Sequence, residues 1–118
     1  MYPEEKYLSP TGRYVFHIAA WEARMSHWIE SFTLVEVASG ASVLRLRDSN
    51  WSLDTAEWLS ESEVRMQLRK YPGDHTPSSF EVRVNCEART AQVNGELPMS
   101  LNRVEPALNR LYASGKRA

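Results

Sequence analysis

Hydrophobic and polar positions alternate along much of this chain, and the alternation is strictest in its second half. Val64-Arg65-Met66-Gln67-Leu68-Arg69 and Phe80-Glu81-Val82-Arg83-Val84-Asn85 each place every second residue on an apolar face. That period of two predicts half-buried antiparallel strands. The same reading places strands near Lys6–Leu8, Arg13–Trp21, Ile29–Val37 and Ser42–Arg47 in the first half, with Ala38–Ala41 as a hairpin turn in which Gly40 takes positive φ. In the second half it places strands near Thr55–Trp58, Glu63–Lys70, Phe80–Cys86 and Thr90–Val93.

These strands fall into two similar sets. "LSPTGRYV" (Leu8 to Val15) is echoed by "LSESEV" (Leu59 to Val64), and "SFTLVEVASGASV" (Ser31 to Val43) by "SFEVRVNCEARTAQV" (Ser79 to Val93). Both pairs lie about 50 residues apart, the spacing expected of a repeated supersecondary unit. The repeat predicts one unit over residues 6–47 and a second over residues 55–94, within a single domain. The polar stretch Asp48–Asp54 is read as the joining loop, too short for an interdomain linker.

After Gly95 the period changes. Leu101, Val104, Leu108, Leu111 and Tyr112 share one helical face, which predicts a C-terminal helix near 103–114 within the segment 101–114. Asn102 and Glu105 have capping-box spacing, Pro106 is tolerated in the first turn, and Gly115 is a candidate stop. A helix of about three turns is marginal alone and must dock on the sheet. The expected fold is therefore mainly β with a C-terminal helix: two blade-like antiparallel meanders forming a small sandwich or a curled sheet.

The turn-and-strand "SPTGRYVF" resembles the opening of blades in WD40-like and TolB-like β-propellers. Thr11 stands where that pattern has Asp, and the second copy lacks its Pro and Gly. A propeller closes with four or more blades, and this chain holds at most two. The resemblance implies blade-like meanders and no closed propeller.

One stretch reads two ways. "WEARMSHWIESF" puts Trp21, Met25, Trp28, Ile29 and Phe32 on a helical stripe, yet the residues on both sides alternate like strands. Matching the two Ser-Phe steps sets it opposite "RKYPGDHTPS", whose Pro72, Gly73, Asp74 and Pro77 mark a loop. By that correspondence Trp21–Phe32 is expected to be strand, loop and strand. Both loops then project from the same end of their units. Arg24, His27 and Trp28 on one, with Tyr71, Asp74 and His75 on the other, become the candidate partner-binding residues. Aromatic rings mixed with Arg and His combine large contact area with directional hydrogen bonds, as protein-binding hot spots do.

Composition narrows the functional classes. Across 118 residues, 14 Lys+Arg against 15 Asp+Glu give a net charge of −1, so no general attraction to nucleic acid or an anionic membrane is expected. No apolar run approaches the ~20 residues of a membrane span. The opening "MYPEEKYLSP" lacks the basic and apolar regions of a signal peptide, so a cytoplasmic protein is expected. The single cysteine, Cys86, rules out an internal disulfide and reads as a small core residue. His27 and His75, even with His17, Glu22, Asp74 and Cys86, show no metal-ligand spacing, and no serine sits in a nucleophile elbow. Neither metal nor cofactor is expected. Trp51, in the joining loop, and Trp58, on a strand, are expected to pack at the seam between units. Arg65, Gln67, Arg69, Glu81 and Arg83 predict cross-strand ion pairs on a wet sheet face.

The sequence thus leads to a non-enzymatic protein-binding module, of the kind exemplified by small immunity or inhibitor proteins that plug another protein's site. A small enzyme or ligand-binding β-domain, with His, Arg and Asp converging at the loop rim, is a second reading. A homo-oligomer joined through its outer strands is the third.

Overall fold

The computed structural model describes residues 7–22, 28–71 and 79–116, apart from the side chains of 28 and 114–116. Three strands form one antiparallel sheet: β1 (Tyr14–Glu22), β2 (Trp28–Glu36) and β3 (Ser42–Arg45), in that order. Five form the other, again in chain order: β4 (Trp51–Trp58), β5 (Glu63–Lys70), β6 (Phe80–Asn85), β7 (Thr90–Val93) and β8 (Met99–Ser100). A 3-10 turn over Leu101–Arg103 leads into α1 (Val104–Lys116), the one α-helix among the described residues. The fold is mainly β with a C-terminal helix, and two separate sheets, neither closed, share one core.

The first sheet opens at the Ser9–Gly12 turn. Ser9 is buried and closes the turn three times: its Oγ accepts the Tyr14 N–H at 3.0 Å, its N–H donates to the Tyr14 carbonyl, and its carbonyl accepts the Gly12 N–H. Before this turn Leu8 makes only an isolated bridge to Val15, so no strand is found at the described end of Lys6–Leu8; Lys6 itself lies outside the described residues. β1 and β2 then pair without interruption from Tyr14↔Glu36 to Glu22↔Trp28. The helical stripe of Trp21–Phe32 is therefore not a helix: Trp21 and Glu22 end one strand, and Trp28 to Phe32 begin the next. Alternation sets Tyr14, Phe16, Phe32 and Leu34 inward, where all four are buried.

Two bulges explain departures from simple alternation. Between Leu34 and Val35 the β2–β3 register shifts, so that both Val43 and Leu44 are buried although they are consecutive. Between Leu53 and Thr55 the β4–β5 register shifts at Asp54. Trp51 and Leu53 face the core from odd positions before the bulge, and Ala56 faces it from an even position after it. The strand thus starts at Trp51 rather than Thr55, and half of the expected joining loop is β4. Its alternation is broken in phase by the extra residue, which is why the sequence conceals it. The connection that remains is a turn around Asp48, whose Oδ1 accepts the Asn50 N–H at 3.0 Å.

The five-stranded sheet buries one face through Val64, Met66, Leu68, Phe80, Val82, Val84, Ala91 and Val93. The first sheet and α1 both cover that face. The Tyr14 ring stacks on Trp58 with centroids 6.3 Å apart, and Phe16 tilts against the same indole at 6.0 Å. Val104, Ala107 and Leu108 of α1 are buried in the same cluster. Trp51 anchors the far end, edge-on to Phe80 at 5.4 Å and to Tyr112 at 6.1 Å. Burying a side chain of this size contributes on the order of 3 kcal/mol or more, so Trp51 is a principal fastening between β4 and α1.

The helix departs from expectation at both ends. It runs through Gly115 to Lys116, so Gly115 does not stop it. Glu105 does not close a capping box with Asn102, whose Oδ1 instead accepts the Ser100 hydroxyl at 2.7 Å. The Glu105 carboxylate accepts the backbone N–H groups of Arg47 at 2.7 Å and Asp48 at 2.9 Å. A long-range tie between helix and β3–β4 connection has replaced the local cap.

Candidate binding surfaces

The two loops singled out in the sequence have their described bases close together. Tyr71 follows β5 directly, is half-buried, and donates its N–H to the Asn50 carbonyl at 2.9 Å. Glu30, two residues into β2 from Trp28, donates its N–H to Ser52 Oγ at 2.9 Å. Ser52 in turn pairs with Arg69 and Trp51 with Lys70. The start of β4 is thus the shared footing of both connections. Of the six candidate residues, Trp28 opens β2 and Tyr71 ends the β5 side, while Arg24, His27, Asp74 and His75 lie outside the described residues.

Trp21, beside this footing, is half-buried on the outer face of the first sheet. Its Nε1 donates to Ser31 Oγ at 3.2 Å, and that hydroxyl donates to the Ala19 carbonyl. Trp58 packs at the seam as expected, against Tyr14 and Phe16 of the first sheet. Trp51, fully buried in a strand and not in a loop, instead meets Phe80 and Tyr112 of the second sheet and the helix.

The wet face of the five-stranded sheet carries the expected cross-strand pairs. Arg65 reaches both Glu57 and Glu81, Arg83 pairs with Glu63 at 3.2 Å, and Arg69 with Asp54 at 3.0 Å. The hydrogen bond and charge of Glu57 raise the Arg65 pKa further above its already high ordinary value. The face neutralises itself, since each of these guanidinium groups already meets a carboxylate.

The opposite situation holds around β3, where sequence reasoning identified no site. Arg45 and Arg47 are exposed and have no carboxylate partner among the described residues. They flank Leu46, which packs on the core, and together these three residues form the shared wall of two hollows. One, of about 490 Å³, lies between this segment and the start of α1, with Leu44, Leu101 and Pro106 among its walls. The other, of about 300 Å³, opens where β3 leaves β2, and His17, Ser31, Thr33 and Ser49 line it. The signal was present in the sequence as "VLRLR", an alternation whose polar positions are both arginine.

Cys86 is buried just past the end of β6, and burial pushes its thiol up to about 11, which leaves it protonated and unreactive near neutral pH. Among the described residues no group of three or more His, Cys, Asp or Glu side chains is arranged to hold a metal ion, and no helix is long and apolar enough to cross a membrane. Comparison with protein-family models, with curated proteins and with solved structures found no match to this chain.

Proposed function

We propose that this protein is a non-enzymatic, cytoplasmic protein-binding module, of immunity or inhibitor type, acting through a rim formed by Arg24, His27, Trp28, Tyr71, Asp74 and His75. The observation that carries this reading is the common footing of the two loops at Asn50–Ser52, fixed by the Tyr71–Asn50 and Glu30–Ser52 hydrogen bonds. A footing held by backbone pairing on a packed sheet suits a contact surface whose affinity depends on rigid aromatic and Arg anchors. The meanders β1-β2-β3 and β5-β6-β7 run in the same order, with Phe32 and Phe80 both buried after their Ser-Phe steps. This supports the repeat, and with it the equivalence of the two loops.

The test is affinity capture from the source cell with the wild-type chain and with the Trp28→Ala and His75→Ala variants. A stoichiometric complex that the wild type forms and the variants lose supports the module. A chain that remains a partner-free monomer at micromolar concentration overturns it.

A further inference from the structure

We propose that the paired hollows around Arg45–Arg47 form a docking groove for an extended acidic segment of a partner protein. The inference rests on the protein-binding reading for the nature of its occupant, but it names a surface that the loop rim does not include and specifies the partner's chemistry.

Charge carries the first part of the argument. Arg13, Arg65, Arg69, Lys70, Arg83 and Arg110 all meet carboxylates within this chain. Arg45, Arg47, Arg89 and Arg103 have no carboxylate partner among the described residues, and of these four only Arg45 and Arg47 line the two hollows. Among the described residues Glu105 is the one acid lining the larger hollow, and its two oxygens accept the N–H groups of Arg47 and Asp48. It therefore fixes the course of the chain beneath the arginines without neutralising their side chains. Guanidinium groups in this state favour carboxylate ligands, which they bind in a bidentate fashion.

Shape carries the second part. Arg45, which ends β3, and Arg47, two residues beyond at a bend, stand at most about 6–7 Å from each other along the chain. A partner strand with carboxylates at alternate positions has the same spacing. Half-buried Leu46 and Leu101 and exposed Pro106 supply apolar surface between and beside the charges, which suits alternate apolar side chains of such a strand. Among the described strands β3 pairs with β2 alone, and a sheet edge can accept an added extended segment through its backbone over Ser42–Arg45, beyond which the Arg47 N–H is already held by Glu105. A small anion would satisfy the arginines but leave the leucines and the second hollow unused.

The experiment measures fluorescence anisotropy of a short labelled peptide alternating glutamate and leucine, with its lysine–leucine counterpart as control. Saturable binding of the acidic peptide is expected, weakened roughly tenfold or more in R45E/R47E, the size typical of losing desolvated charge pairs. R89E, which alters an exposed arginine in the β6–β7 turn, should leave affinity unchanged. The milder R45Q/R47Q pair serves where charge reversal disturbs folding. Equal affinity in wild type and in either double variant overturns the proposal. So does equal binding of the basic peptide, or displacement of the acidic one by inorganic phosphate at comparable concentration, which would mark a small-anion site. The rim variants Trp28→Ala and His75→Ala should leave peptide affinity intact, so failure of the groove and failure of the rim are read separately.

Discussion

Glu105 and Arg47 meet through the main chain and not through their charges: the carboxylate takes the Arg47 N–H at 2.7 Å and leaves the guanidinium exposed in a groove. With the second bond to Asp48, this one side chain joins the first turn of α1 to the connection leading into β4.

Each of these bonds involves an ionised acceptor, and such bonds contribute about 1.5–3 kcal/mol. Both bonds are at least partly exposed to water, so Glu105→Ala should lower stability by less than their sum, about 2–4 kcal/mol in urea unfolding. Glu105→Gln keeps one acceptor oxygen and should cost about half as much. Equal losses in the two variants would show that the acceptor geometry does not matter.

Trp51 is buried, yet its Nε1 has no hydrogen-bond partner among the described residues. Trp51→Ala should cost about 3–5 kcal/mol, as expected for removing a buried aromatic side chain. Trp51→Phe keeps edge contact with Phe80 and Tyr112 and removes the unpaired donor, so its cost should stay below about 2 kcal/mol. Thermal unfolding of both variants followed by circular dichroism distinguishes these sizes.

The bulge at Asp54 resets which residues of β4 face inward. Deleting Asp54 leaves Leu53 and Ala56 two positions apart, so both still point to the core. The deletion should be tolerated at a cost of about 1–2 kcal/mol, part of it from the lost Arg69 pair. Inserting an alanine after Thr55 sends Ala56 and Trp58 to the wet face and should abolish folding. Soluble yield and amide dispersion in NMR spectra report on both.

Burial raises the Cys86 thiol from an ordinary value of 9.0 to about 11. Between these values the unfolded chain has released the proton while the folded chain keeps it. The native state then binds more protons, so stability falls as pH rises from about 9 to about 11. A Cys86→Ala variant should lack this component of the decline. In the wild type at pH 8, a thiol reagent should label Cys86 slowly in buffer and rapidly in denaturant.

Much of the architecture was legible in local pattern. Strict alternation located β5 and β6, the change of period after Gly95 located α1, and the counterpart of the Trp21–Phe32 stretch pointed to a hairpin over a helix. The signal failed where a single extra residue shifts the phase, at Asp54, because a sequence window sees broken alternation where the strand continues through a bulge. It failed again at Glu105, whose spacing from Asn102 matches a local cap while its hydrogen bonds go to residues far away in the chain. The candidate rim was read from composition, and its common footing at Asn50–Ser52 depends on contacts between strands that no local pattern encodes.

What the sequence determined by itself is therefore most of the strands, the helix and the side of each that is apolar, since these follow from side-chain order at periods of 2 and 3.6. The strand expected at Lys6–Leu8 is not found at its described end, and the two-residue β8 carried no such signal. Only the tertiary structure decided which charges remain unpaired. By its alternation "VLRLR" predicts a strand with two outward arginines, as "VRMQLR" does, although β3 ends at Arg45 and Arg47 lies just beyond it. Arg65 and Arg69 have acidic neighbours across the sheet, whereas Arg45 and Arg47 lie where the first sheet ends and the helix begins. Ion pairing depends on who lies alongside, and that is fixed by the packing of distant segments.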